Sequence, residues 1–409
     1  MNIPRTALAR AFALALALAL GAAFASGASA QVSDDTIRIG FISDMSGLYR
    51  DYDGPAGAEA IRMAIADMGG AIGGKKIEVI SADHQNKPDV AATKAREWFD
   101  TQGVDMLIGG VNSGAAIAMA GVAADKKKPY FVVGSGASSL TNEYCSPYTV
   151  HYAYDTVAMA RGTASAVVKA GGKSWYFVAA DYAFGAALQA DAVKVIQANG
   201  GTVAGSVKHP LGASDFSSFM LQAQNSKAQV LALANAGGDT VNAIKSAAEF
   251  GISKNMKLAG MIITINDVHA LGLKNSQGMY LTDSWYWNQS PESREWARRF
   301  FDKHKRMPSS FHAGDYSAAL QYLQAVKAAG SDDADKVMAQ LRKTKFNDMF
   351  VKGGWLRDDG LMVHDMHLMQ VKTPAESKEP WDYYKVVEPI RGEAAWTTKA
   401  ESRCTRWKS

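Results

Sequence analysis

The sequence predicts an α/β protein built as two lobes around parallel sheets, and three features point there. Short apolar runs alternate with amphipathic stretches of helical period. Each run ends in Gly, Ser, Asn or Asp, the residues that turn a strand toward a helix. The alternation also runs twice, once on each side of Asp155, giving two units of comparable size.

Residues 36–43 (TIRIGFIS) form the first expected strand, closed by Asp44-Met45-Ser46-Gly47. A loop with Tyr49, Tyr52 and Gly54-Pro55 leads into a helix over 56–68, then a strand over 76–82 and a helix over 89–101. Residues 104–109 read as a buried strand, 115–124 as a helix stopped by Pro129, and 130–133 as another strand broken at Gly134-Ser135-Gly136. Two parallel strands therefore bring Ser113, Ser135 and Ser138 to one sheet edge, where open α/β sheets hold ligands. Small residues let a ligand approach the backbone, and helix-start N–H groups favour an anion. No Lys, Arg, Asp, Glu or His lies in 109–124 or 129–142, so no neighbour in sequence would activate a serine.

The second unit repeats the pattern: helix 157–170, strand 174–180, a loop with Tyr182 and Phe184, and a helix to 198. Strand 201–207, helix 215–226, strand 229–234, helix to 250 and strand 257–263 follow. Beyond them come a strand over 279–287, helices over 291–305 and 315–329, a hairpin of 353–357 with 362–372, and a strand over 381–387. Residues 388–409 read as a loose tail.

Residues 1–30 carry Arg5 and Arg10, an Ala/Leu run and Ala28-Ser29-Ala30, the layout of a cleaved export leader. The expected product is a soluble periplasmic protein beginning near Gln31, without a lipid anchor. The composition, 47% apolar and 21% charged with a net charge of +4, is that of a globular protein. No basic-aromatic cluster supports nucleic-acid binding. Cys145 and Cys404 are the two cysteines, and in an oxidising compartment they most simply form one disulfide, with two free thiols as the alternative.

By its segments the chain resembles the periplasmic binding proteins of ATP-driven importers, in the leucine/isoleucine/valine-binding group. The matching stretches are IRIGFISDMSG at 37–47, GAEAIRMAIADMGG at 57–70, IGGVNSGAAIAMA at 108–120, PYFVVGSGASSLT at 129–141, ADYAFG at 180–185 and LANAGGDTVNAIKSAAEFG at 233–251. The resemblance implies a type I clamshell: two Rossmann-like lobes joined by three crossovers, closing on a ligand and docking on a permease and ATPase. It implies a first lobe of 31–154 with 285–355, a second of 155–284 with 356–390, and a tail of 391–409. A carboxylate would be held by Ser113 and the loop Gly134, Ser135 and Gly136. The first-loop aromatic corresponds to Tyr49 or Tyr52, and the second-lobe aromatic to Phe184, with Tyr182 beside it.

Amino-acid binders of the group hold the ammonium with an acidic residue after a late second-lobe strand, where this chain reads Met261-Ile262-Ile263-Thr264-Ile265-Asn266. An unpaired buried ammonium is costly. Asp181, Asp239 and Asp267 are substitutes without clean alignment. The cleft candidates, Tyr49, Tyr154, Tyr182, Phe184 and Trp285 with Asn235 and Thr264, are rich in rings, which favours an aromatic acid. Asn235 to Thr240 also resembles the branch linked to aromatic compounds. The expectation is a monomeric, cofactor-free and metal-free carrier of a small carboxylate. A branched-chain amino-acid binder and a ligand sensor are the alternatives. An enzyme is less favoured, since no complete G-x-G-x-x-G follows the first strand, and His364 and His367 fall on opposite faces of a strand.

Overall fold

The computed structural model describes residues 33–408, so the leader and its cleavage point lie outside the described residues. Two parallel sheets organise the chain. The first runs Ala71–Ile72, Lys75–Asp83, Thr36–Ser43, Met106–Gly109, Tyr130–Val132 and Thr149–His151, antiparallel only at the Ala71–Ile72 edge. The second runs Lys257–Gly260, Val230–Ala234, Ser174–Ala180 and Thr202–His209, parallel throughout. Their central strands, such as Met106–Gly109 and Val230–Ala234, are buried at every residue. Helices covering both faces explain why these strands are continuous apolar runs rather than alternating ones.

The remaining strands differ from the sequence reading. The expected hairpin forms only between Lys352–Leu356 and Met362–Val363. His364 and Asp365 interrupt the second arm, and Met366–Val371 instead joins an antiparallel sheet between Tyr280–Asp283 and Tyr384–Ile390. The strand expected over 279–287 stops at Asp283, and that over 257–263 stops at Gly260. Thr264 then caps the helix Ile265–Leu271 through a reciprocal bond with Asp267. The helix expected from 315 begins at Ser310, because Ser309 and His312 form a capping pair. A helix over Ala334–Lys343, capped by Asp333, went unassigned.

The tail is packed rather than loose. Cys145 and Cys404 form a disulfide. Trp396 is fully buried and donates to the His364 carbonyl, and Arg357 donates to the Thr397 carbonyl while lying 3.8 Å above the Trp407 ring. Arg161 grips Glu401 with both oxygens in reach.

Between the helices Gly54–Asp67 and Ser310–Ala329 lies a buried carboxyl pair. A Cβ on Gly57 would stand 2.5 Å from one oxygen of Asp53 and 2.6 Å from one of Asp315, so only glycine fits there. Ser43 donates to Asp53, whereas among the described residues no donor outside the pair reaches Asp315. Burial raises both carboxyls, Asp315 well above its usual range with the facing Asp53 adding to it. The pair therefore retains a proton in the folded state that the unfolded chain releases.

Two outcomes follow from these contacts. Because the folded carboxyls sit above their unfolded value of 3.8, their contribution is fully present below that value and is lost as pH rises through the folded values. Asp315→Asn is therefore expected to raise the unfolding temperature more at pH 8 than at pH 4, and an equal change at both would remove the shared proton from the account. Cys404→Ser should cost about 2–5 kcal/mol in denaturant unfolding. An unchanged midpoint would mean that the tail docks without the bond.

Candidate ligand-binding cleft

Parallel pairing places Gly109 beside Val132, so the loops that follow leave the first sheet together. Asn112 caps the next helix, Ser113–Lys126, by accepting from the Ala115 N–H. Ser113 heads that helix, and Ser135 Oγ donates to Ser113 Oγ at 2.9 Å. His151 Nε2 donates to the Ser135 carbonyl at 2.7 Å. Burial drives this imidazole down to about 4, so it is a neutral strut for the loop. It bonds the serine's carbonyl and not its hydroxyl, which is no arrangement for activating Ser135.

The glycines of this loop admit an aromatic ring. A Cβ on Gly136 would sit 2.5 Å from the Tyr154 ring, and one on Gly134 would sit 2.7 Å from the Val111 backbone. Tyr154 donates to the Gly134 carbonyl at 2.8 Å and meets Phe311 edge-on at 5.3 Å.

Asp44 shapes the loop after the first strand. Its carboxylate accepts from Gly47 N–H at 2.6 Å, from Tyr49 N–H at 2.8 Å and from the Asn86 amide at 2.6 Å. That fold of the loop presents Tyr49 and Tyr52 to the second sheet. Tyr49 and Tyr182 exchange a hydroxyl–hydroxyl bond of 2.7 Å. Tyr52 donates to Asp267 at 2.5 Å, accepts from the Gly237 N–H at 2.8 Å, and stacks on Phe311 at 5.1 Å. Burial pushes the hydroxyls of Tyr49, Tyr52 and Tyr154 well above their usual range, so these phenols are neutral. Burial also raises Asp267 to about 6, against the opposing donors Tyr52 and Thr264.

Tyr49, Gly134, Tyr154, Tyr182 and Phe184 thus meet around one spot, joined by Tyr52, Val111 and Ala236, with about 10 Å³ left between them. That is room for about one water, against several hundred Å³ in a ligand-sized site. A ring-sized molecule would fit there only if the facing loops separated. Gly136 lies against the Tyr154 and Phe184 rings of this spot, and the neighbouring Ser135 bonds Ser113, whose loop contributes Val111 to it.

Three expected residues stand apart. Asn235 turns inward, to His209 at 3.0 Å and Thr240 at 2.7 Å. Thr264 bonds Asp267 and reaches the cluster only through it. Trp285 donates to Ser293 and to the Met349 carbonyl, each at 3.1 Å, and stands edge-on to Trp296. It packs against the helix that starts at Pro291 instead of joining the ring cluster. The sequence reading singled out neither Asp44 nor Phe311. A buried Asp opening a Gly turn was the signal for Asp44, whereas Phe311 has none, because its helix joins the site only in three dimensions.

A family model described as periplasmic binding protein matches residues 36–378. A periplasmic binding protein from Burkholderia mallei is 65% identical, covers 91% of this chain and 99% of its own, and superposes with a TM-score of 0.90. A structure from Burkholderia xenovorans, described as a branched chain amino acid ABC transporter periplasmic ligand-binding protein, is 40% identical over 90% of this chain and 99% of its own, with a TM-score of 0.81. An ABC-transporter solute binding protein from R. palustris, solved in complex with benzoate, shares the fold at 21% identity and a TM-score of 0.80, covering 90% of this chain and 99% of its own. No match is found among the curated proteins.

Gly136→Ala should displace Tyr154 and cost about 1–3 kcal/mol by overpacking. Chemical denaturation checks this, and a wild-type midpoint would show that the ring has room to give.

Proposed function

The chain belongs to the periplasmic binding protein family, and on that premise we propose that it is the solute-binding component of an ATP-driven importer. In this reading it captures a small carboxylate, most simply an aromatic acid, between its two sheet units and delivers it to a membrane permease and its ATPase. The observation that carries the reading is the convergence of Tyr49, Tyr154, Tyr182 and Phe184 on the loops holding Ser113, Ser135 and Gly136. Ring faces suit a flat ligand, and serine hydroxyls with helix-start N–H groups suit its carboxylate. The R. palustris protein solved with benzoate, and another solved with 4-hydroxybenzoate, lend support at the level of fold.

The lobes are taken as 31–154 with 285–355 and 155–284 with 356–390. The hairpin Lys352–Leu356 with Met362–Val363 straddles the limit between 355 and 356. Export through the leader 1–30 and action as a monomer belong to the same reading. The description of the 40% identical Burkholderia xenovorans protein favours a second reading, a branched-chain amino-acid binder.

Titration calorimetry with benzoate, 4-hydroxybenzoate and leucine separates the two. The aromatic acids are expected to bind one to one, with leucine at least a hundredfold weaker, and Ser113→Ala should weaken the acid about tenfold, the worth of one charge-assisted bond. Tight leucine binding would replace the first reading with the second.

A further inference from the structure

We propose that Tyr52 is a built-in competitor for the ligand, its phenol filling an acceptor–donor pair on the second sheet unit that matches a ring hydroxyl. This rests on the reading of the cleft as the binding place and narrows its ligand to a hydroxylated aromatic acid. The pair is the Asp267 carboxylate and the Gly237 N–H, which lie 2.5 Å and 2.8 Å from the Tyr52 oxygen. One accepts and the other donates, which is what a phenol requires.

Both members belong to the second sheet unit. Gly237 follows the strand Val230–Ala234, and Asp267 lies in the helix after Lys257–Gly260. The hydroxyl between them comes from the loop after Thr36–Ser43, on the other unit. Tyr52 is 2% exposed and Asp267 5% exposed, so the bonds are shielded from water. The same Asp267 oxygen also accepts from the Thr264 N–H at 2.8 Å and from its hydroxyl at 3.0 Å. The carboxylate is therefore held in place whether or not Tyr52 is present.

The residual space of about 10 Å³ does not admit a ring, so a ligand seated there must draw Tyr52 off. An acid without a hydroxyl leaves the Gly237 N–H without a partner, at the cost of an unmet buried bond, and leaves Asp267 with its Thr264 donors alone. A hydroxyl at the end of the ring opposite its carboxylate restores both. Its carboxylate would then lie toward Ser113 and Ser135, on the first sheet unit. The Tyr49–Tyr182 contact is weaker as a selector, since it joins two neutral hydroxyls across the same gap.

The test compares wild type, Tyr52→Phe and Asp267→Asn by calorimetry with benzoate and 4-hydroxybenzoate, and measures the radius of gyration of the ligand-free proteins by X-ray scattering. Thermal unfolding confirms that each variant is folded. The wild type should prefer 4-hydroxybenzoate at least tenfold, and Asp267→Asn should reduce that preference several-fold. Tyr52→Phe should tighten both acids about tenfold, because neither then has a competitor, and should expand the ligand-free protein. Unchanged or weaker binding in Tyr52→Phe, or an equal affinity of wild type for the two acids, overturns the proposal. If wild type binds neither acid, the aromatic-acid reading fails separately, and the scattering decides alone: an unexpanded Tyr52→Phe overturns the competitor as well.

Discussion

Parallel strand pairing is the constraint from which the candidate site descends. A parallel neighbour cannot be reached by a tight turn, so the chain crosses over through a helix and returns to the same end of the sheet. Every connecting loop on the carboxyl side therefore opens at one edge. With Ile108 opposite Phe131 and Gly109 opposite Val132, the register brings Ser113 and Ser135 within one hydrogen bond of each other. The second sheet obeys the same rule, sending Tyr182 and Gly237 out from adjacent strands. Two such edges facing each other make the cleft, and what fills it is decided by a few side chains on the loops.

Those side chains are supported more elaborately than their number suggests. Asp44 folds the loop that carries Tyr49, His151 props the loop that carries Ser135, and Thr264 steadies Asp267. Each support is a short polar residue or a neutral imidazole bonded to backbone, and each is buried. Polar groups in such surroundings bind strongly when matched and are costly when not, so the loops have few alternative arrangements. The same economy appears beneath the cleft in Asp53, which follows Tyr52, and Asp315, where one retained proton stands in for a missing donor.

Most of the fold was legible because it is periodic. Short apolar runs closed by glycine and asparagine marked the strands of both sheets, and the small residues of 109–136 marked the loops that meet. The misses have local physical causes. Met362 to Lys372 reads as one strand because its apolar residues are continuous, yet its two halves pair with different partners on either side of His364 and Asp365. The helix Ala334–Lys343 had its signals, a capping Asp333 and buried Val337, Met338 and Leu341, but in a stretch dense with charge. Trp285 is aromatic and near the crossover, as a cleft residue would be. Only the position of Met349 and Ser293 shows that its indole is already spoken for. Tyr52 was legible as a candidate, whereas its bond to Asp267, 215 residues away, was not.

The disulfide joins residues 259 positions apart, enclosing the whole second sheet and the Thr149–His151 edge strand of the first. A protease that clips once anywhere between the two cysteines would therefore leave the two fragments covalently attached.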